Sequence, residues 1–487
     1  MTPEQRMQNR LKRLQQQLKR EHPILVEVVN QYKELDKIAQ RMGLLAQGES
    51  YATQISWWPL VSVLGTFSAG KSSFINTYLG IDNLQQTGNQ AVDDRFTVLT
   101  FSPDATQRTL PGLALDGDPR FPFYQMSEEI EHVVKGEGAK IDKYLQMKAT
   151  PSEKLRGKIL IDSPGFDADE QRKSTLKITD HIIGLSDLVL VFFDARHPEP
   201  GAMQDTLEHL VQGSQRRNDA SKFVFILNQI DSSAREDNLE EVVASWQKAL
   251  VQNGVTSGAF YVLFNDRLAV PVPDENVWAR YVAKRNADYQ RITERIDSIS
   301  VERSYRIIGA MESLTNQIEQ QAVPKLRQAL QTWQRRVLIA DGVILAAMLG
   351  IFLSVSINQG YWQGLLFAPP WGETVANSLP LLIVVLAIPT VIFLSLHFTI
   401  RKYLARFGAK KLSKDDSYGN LSAAFMKRTQ FYRSVFGKNP AGWNKRMMQR
   451  LDGIRDAADR FVQKLNDRFT NPSGSKSAAT PPAQKKA

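Results

Sequence analysis

The sequence predicts an α/β domain on a parallel sheet, an α-helical bundle, and a two-helix transmembrane hairpin. Three observations predict it. Between residues 50 and 270, apolar strand patterns alternate with helical ones, the rhythm of a parallel α/β sheet. On both sides of that region, apolar residues recur every three or four positions, so each stretch has one face to bury. Two later apolar runs are each long enough to span about 30 Å of hydrocarbon. At 487 residues the chain exceeds one ordinary core, which also argues for several units.

Residues 1–49 carry the first helical pattern. Met7, Leu11, Leu14, Leu18, Leu25, Val28, Tyr32 and Leu35 share a stripe, and Pro23 predicts a break. Met1–Arg20 is polar, without the apolar core of a signal peptide. Trp58–Gly65 reads as a buried strand feeding a glycine-rich turn. There Gly65-Thr66-Phe67-Ser68-Ala69-Gly70-Lys71-Ser72 matches G-x-x-x-x-G-K-[ST] between a strand and a helix that includes Ser73. Glycines let backbone N–H groups curl around phosphate oxygens at a helix N-terminus. Lys71 is placed to reach the β- and γ-phosphates, and the Ser72 hydroxyl to ligate Mg²⁺.

Lys158–Gly165 (KILIDSPG) is a strand running into D-x-x-G. Asp162 is expected to hold Mg²⁺ through water, and the Gly165 amide to sense the γ-phosphate. Lys222–Asp231 (KFVFILNQID) is another buried strand, ending in Asn228-Gln229-Ile230-Asp231. This resembles the N-K-x-D base-recognition motif, whose carboxylate accepts two N–H groups of guanine. Gln229 stands where Lys is usual, and its stem can cover part of the base. The alternative for Asp231 is a helix cap.

From Asp274 to Arg336 helical periodicity returns, with Tyr305, Ile308, Met311, Leu314 and Ile318 on one face. Val337–Ile357 and Leu379–Ile400 are the apolar runs, carrying only Asp341 and His397 near their ends. Arg335 and Arg336 precede them, Arg401, Lys402 and Arg406 follow, and the loop between holds only Glu373. The positive-inside rule then puts both termini in the cytoplasm, as in a multi-pass membrane protein. The alternative is a buried hairpin in a soluble domain. Residues 401–470 are basic helices with a stripe of Trp443, Met447, Leu451, Ile454, Ala458, Phe461 and Leu465, and 471–487 read as a disordered tail. From Arg401 onward, 20 Lys/Arg face 6 Asp, a net +14 against +10 for the whole chain. Beside a membrane anchor, anionic lipid is the simpler partner for that charge than nucleic acid. The separate helical stripes suggest one bundle assembled from both flanks of the α/β domain. With no cysteine in the chain, disulfide frameworks and Cys-based metal or nucleophile sites are excluded.

The runs between the motifs are more specific. Leu110–Phe123 (LPGLALDGDPRFPF), IDSPGFDADEQR and LVLVFFDARHPEPG resemble the dynamin superfamily, and within it the Eps15-homology-domain (EHD) ATPases. The resemblance covers about residues 50–268 and implies a P-loop NTPase with a dynamin-type G domain. It implies a nucleoside-triphosphate hydrolase using Mg²⁺, with GTP favoured by Asp231 and ATP possible from the EHD pattern. It also implies pairing of the nucleotide domains and remodelling, tethering or fusion of membranes. The hairpin resembles those of mitofusin-like and atlastin-like GTPases, no calcium-binding EH module is expected, and the combination suggests a bacterial inner membrane. One departure stands out. Where the EHD pattern reads T-T-D-x-F, this chain has Val92-Asp93-Asp94-Arg95-Phe96, leaving Thr97 as the nearest hydroxyl for the switch role. A strand over Phe96–Phe101 would bury it, which leaves slow turnover, as in a regulatory switch, and an unusual Mg²⁺ arrangement as alternatives to ordinary hydrolysis. Ser68 matches the serine that dynamin relatives place near the β–γ bridging oxygen; the alternative is an ordinary turn hydroxyl.

Overall fold

Short runs, six of them rich in Val, Ile, Leu and Phe, form an eight-stranded sheet among the described residues. These are β1 (Leu60–Gly65), β2 (Phe96–Phe101), β3 (Arg108–Pro111), β4 (Leu145–Thr150), β5 (Ile159–Asp162), β6 (Leu188–Asp194), β7 (Phe223–Asn228) and β8 (Ala259–Leu263). The computed structural model describes residues 2–86, 95–103, 108–118, 120, 131, 136, 141–165, 172–196, 220–255, 257–269, 272–414 and 416–469. Outside them fall residues 90–94 of the switch run, 121–123, 166–171, 197–201, and the expected tail at 471–487.

The strand order is β3-β4-β2-β5-β1-β6-β7-β8. β5, β1, β6, β7 and β8 are mutually parallel, but β2 pairs antiparallel with β5 and β3 antiparallel with β4. The expected parallel sheet is therefore corrected to a mixed one. The cause lies in residues 151–158, the whole connection from β4 to β5. A parallel return needs a crossover of about a dozen residues or more, so β5 runs back against β4. β2, parallel to β4, shares its direction.

β6 shows why the sheet is covered on both faces. Val189, Val191 and Phe193 join one buried cluster with Phe225, Trp246 and Leu250, while Leu188, Leu190 and Phe192 join another with Phe74, Ile75 and Ile296. Successive side chains point to opposite faces, and helices supply the remaining walls. Those are α3 (Lys71–Leu79), α4 (Arg172–Leu185), α5 (Leu239–Gln252) and the long α6 (Glu275–Gln317).

The chain divides into two compact units, one of residues 9–27 and 52–307, the other of residues 1–8, 28–51 and 308–487. The N-terminal helices are α1 (Pro3–Glu21) and α2 (Pro23–Met42), broken at His22 just before Pro23. In the second unit, helices from both ends of the sequence pack together. The Lys427 ammonium donates to the Gln40 carbonyl (2.8 Å), and the Tyr51 hydroxyl to the Tyr418 carbonyl (2.7 Å). α6 passes through a π-helical turn, Ile318–Ala322, into α7 (Val323–Asn358). Pro324 follows directly on that turn, near the start of α7. The 274–336 helical segment and the first apolar run are thus not separated by a break at 336. After a short β-ribbon, Trp362–Gln363 against Leu366–Phe367, α8 (Leu379–Ala409) returns, followed by α9 (Leu421–Arg428) and α10 (Lys445–Phe469).

α7 and α8 each contain a stretch long and apolar enough to cross a membrane. Their apolar side chains lie open, with Ile351 65% and Val391 63% exposed. A hairpin buried in a soluble core would not leave them so. Asp341 on α7 meets His397 on α8 at 2.9 Å. All seven residues of the Trp443–Leu465 stripe are buried.

Candidate nucleotide site

The carboxyl ends of β1, β5, β6, β7 and β8 bring the candidate residues to one edge of the sheet, where open α/β sheets hold ligands. β1 ends at Gly65, β5 at Asp162, β6 at Asp194 and β7 at Asn228, and Asn265 follows β8. Gly65 passes so close to β6 that a Cβ there would lie 2.6 Å from the Phe192 carbonyl oxygen. Gly70 adopts φ 85°, a left-handed conformation glycine takes without penalty, and α3 starts at the next residue.

β7 grips the loop from its carbonyl side. The Asn228 side-chain amide donates to the Ala69 carbonyl (2.8 Å), and that of Gln229 to the Ser68 carbonyl (2.6 Å). Gln229 itself is left-handed, at φ 64°, as is Ser68 at φ 58°. Among the described residues the backbone amides of Gly70, Lys71 and Ser72 have no hydrogen-bond partner. With its carbonyls occupied and these N–H groups spare at a helix N-terminus, the loop presents donors to an anion.

Lys71 is buried and its ammonium donates to the Gly65 and Thr66 carbonyls, both at 2.9 Å. No carboxylate comes within ion-pair distance of it among the described residues. Burial lowers its pKa to about 8, against an upward pull from Asp162. A buried cation held only by carbonyls fits a phosphate. Asp162 is also buried, accepting from the Gln85 side chain at 2.6 Å, and a Cβ on Gly165 would lie 3.0 Å from Phe67 Cα. The P-loop and the D-x-x-G run therefore touch. The Ser72 hydroxyl has no partner among the described residues, and with Asp162 it offers the hard oxygen donors Mg²⁺ takes.

Asp231 lies buried in the turn Ile230–Ser233 after β7. Nearby, Arg196 forks onto Asp194, which raises the arginine's pKa. Thr97 is the outlier. It is buried in β2 opposite Asp162, and its hydroxyl accepts from the Gln146 side chain at 2.8 Å. The hydroxyl is engaged within the sheet and not displayed on a loop.

Two residues enter the site without having been singled out. Gln85, held at its backbone by the Asn76 side chain, links Asp162 to Lys148. Asn265 donates to the Ser73 hydroxyl at 2.7 Å. Asn265 was findable, because it follows a buried strand just as Asp162 ends one. Gln85 was not; a glutamine in a polar loop carries no such signal.

Residues 61–230 match the model of the dynamin family. These residues form a dynamin-family domain. The chain is also similar to EH domain-containing protein 2 of Arabidopsis thaliana, at 26% identity over 179 residues. That match takes in 36% of this chain and only 30% of the relative's length. Two solved structures of an oligomerised bacterial dynamin pair, described as a mechanism for long-range sensing and tethering of membranes, are also similar. Both are 15% identical, with TM-scores of 0.32 and 0.31, covering 96% and 90% of this chain and 76% and 78% of theirs. Likeness at that level is too loose to carry an argument.

Proposed function

We propose that this chain is a membrane-anchored, dynamin-like GTPase that binds GTP with Mg²⁺ and couples its hydrolysis to membrane remodelling, tethering or fusion. The observation that carries this reading is the buried Lys71 ammonium, held by two carbonyls at the mouth of a donor-lined loop. Lys71 and the loop amides bind and orient the β- and γ-phosphates. Ser72 and Asp162 would hold Mg²⁺, which when bound supplies positive charge to the phosphates. Ser68 would act near the β–γ bridge, and the Gly165 amide, packed close to Phe67, would sense the γ-phosphate. Asn228 and Gln229 brace the loop while Asp231 selects guanine, whose paired donors match a carboxylate. ATP is the alternative, motivated by the EH-type relative.

The exposed apolar flanks of α7 and α8 support a bilayer anchor, with the Arg-rich ends cytoplasmic. Anionic lipids are the partner that suits the basic C-terminal third, and nucleotide-dependent pairing of two copies supplies the mechanical step. One observation favours a second reading, a switch with little turnover: the Thr97 hydroxyl is bound to Gln146 inside β2. GTP turnover by the full chain, with and without phosphatidylglycerol vesicles, separates the two. The first reading expects hydrolysis that vesicles accelerate. Tight GTP binding with turnover no faster than buffer, vesicles or not, would establish the switch instead. ATP outcompeting GTP would reject the guanine assignment.

A further inference from the structure

Two arginines lie buried in the helical unit with no acidic partner among the described residues. Arg401, the first residue beyond the apolar run of α8, is 4% exposed. Its guanidinium donates to the carbonyls of Gln430 (2.8 Å), Phe431 (3.3 Å) and Arg433, and lies over the Trp333 ring. Arg428, at the end of α9, is 8% exposed and donates to the carbonyls of Asn439 (2.9 Å) and Ser434 (3.1 Å). Burying a guanidinium without an anion is costly, and here five backbone carbonyls offset that cost. The result is a loop, residues 429–440, clamped from within by two cations.

What the clamped loop displays is aromatic. Val435 turns inward at 8% exposure, whereas Phe431, Tyr432 and Phe436 are 75%, 65% and 68% exposed. The Phe431 and Tyr432 rings meet edge to face at 5.5 Å, so the display is organised and not a collapsed tangle. A rigid loop presenting three large apolar side chains to water marks an interaction surface. Its place and charge indicate the partner. The carbonyls held by Arg401 sit at the end of the apolar run, where hydrocarbon gives way to headgroups and aromatic residues collect. Between Asp416 and Asp452 the sequence has no acidic residue against seven Lys/Arg. Lys402, Arg406 and Lys438 are exposed.

We propose that the 429–440 loop is an interfacial membrane anchor. Phe431, Tyr432 and Phe436 enter the headgroup–acyl boundary of the bilayer, with neighbouring basic side chains against lipid phosphates. This rests on the reading that α7 and α8 span the bilayer, and it gives the helical unit a second, non-spanning attachment beside the hairpin. The natural absence of cysteine allows a direct test. Full-length Phe436→Cys and Leu345→Cys chains, each carrying an environment-sensitive dye, are reconstituted into phosphatidylglycerol–phosphatidylethanolamine vesicles containing nitroxide lipids. The dye at position 436 should be quenched more by nitroxide near the glycerol than by nitroxide at the acyl terminus, and the dye at 345 the reverse. Quenching at 345 with none at 436 overturns the anchor and leaves the spanning reading intact. No quenching at either position overturns both. Emission at 436 that follows protein concentration and ignores lipid nitroxide would make the loop a protein-pairing surface, which also overturns the proposal.

Discussion

Lys71 bears an electrostatic load that the pH dependence of binding should reveal. Burial lowers its pKa to about 8 in the free protein, and a phosphate beside it favours the charged form. Above about pH 8, binding must therefore take up a proton, and nucleotide affinity should fall by up to about tenfold per pH unit. The same shift has an opposite sign for folding. The unfolded lysine keeps its proton to about 10.5, so between those values the unfolded state holds more protons and this group's contribution to stability rises with pH. Titration calorimetry in buffers of different ionisation enthalpy would show the proton uptake directly. Asp231→Asn should weaken guanine nucleotides by about 2–3 kcal/mol or more, because an amide donor then opposes the base's donors. Xanthine nucleotides, which carry a carbonyl where guanine carries its amine, should lose much less in the same competition assay. Gln85→Leu should raise the Mg²⁺ concentration needed for tight nucleotide binding, since Asp162 loses its 2.6 Å donor.

At the scale of elements, the strand ends decide what the site contains. β1, β5 and β7 were legible because buried apolar runs stop abruptly at Gly65, Asp162 and Asn228, and a polar residue at a strand's carboxyl end has little other reason to be there. The mixed direction of the sheet was not legible from strand patterns, which look alike whichever way a strand runs. It was encoded in the short β4–β5 connection, residues 151–158. The continuity of α6 with α7 was equally hidden, because the one-sided helical stripe and the apolar run after it differ in pattern and read as separate elements. Membrane-length runs were plain in the sequence, but their exposure was not. β2 supplies a test at this scale. Thr97→Val removes a buried acceptor from Gln146, so thermal denaturation should show a loss of about 1–3 kcal/mol. If the hydroxyl only ties strands together, turnover per bound GTP should stay within about twofold; a loss of a hundredfold or more would return Thr97 to a catalytic role.

At the scale of the whole molecule, the proposed function joins a dynamin-family domain to two helices long and apolar enough to cross a membrane. Topology is its first consequence. With both termini cytoplasmic, an Asn377→Cys chain should react with an impermeant thiol reagent in intact cells, and a Gln47→Cys chain only after permeabilisation. Labelling of the second without permeabilisation would place the nucleotide domain on the wrong side for cytoplasmic GTP. Everything else depends on the nucleotide site itself, and among the described residues the Lys71 ammonium hydrogen-bonds only to loop carbonyls while the sheet holds the loop. The most direct measurement is therefore equilibrium binding of a fluorescent GTP analogue to the purified full-length protein and to its Lys71→Ala variant. The account predicts saturable, Mg²⁺-dependent binding for the natural chain and loss of at least about a hundredfold in affinity for the variant, with the variant's circular dichroism and vesicle insertion unchanged. Equal affinity in the two proteins would contradict it.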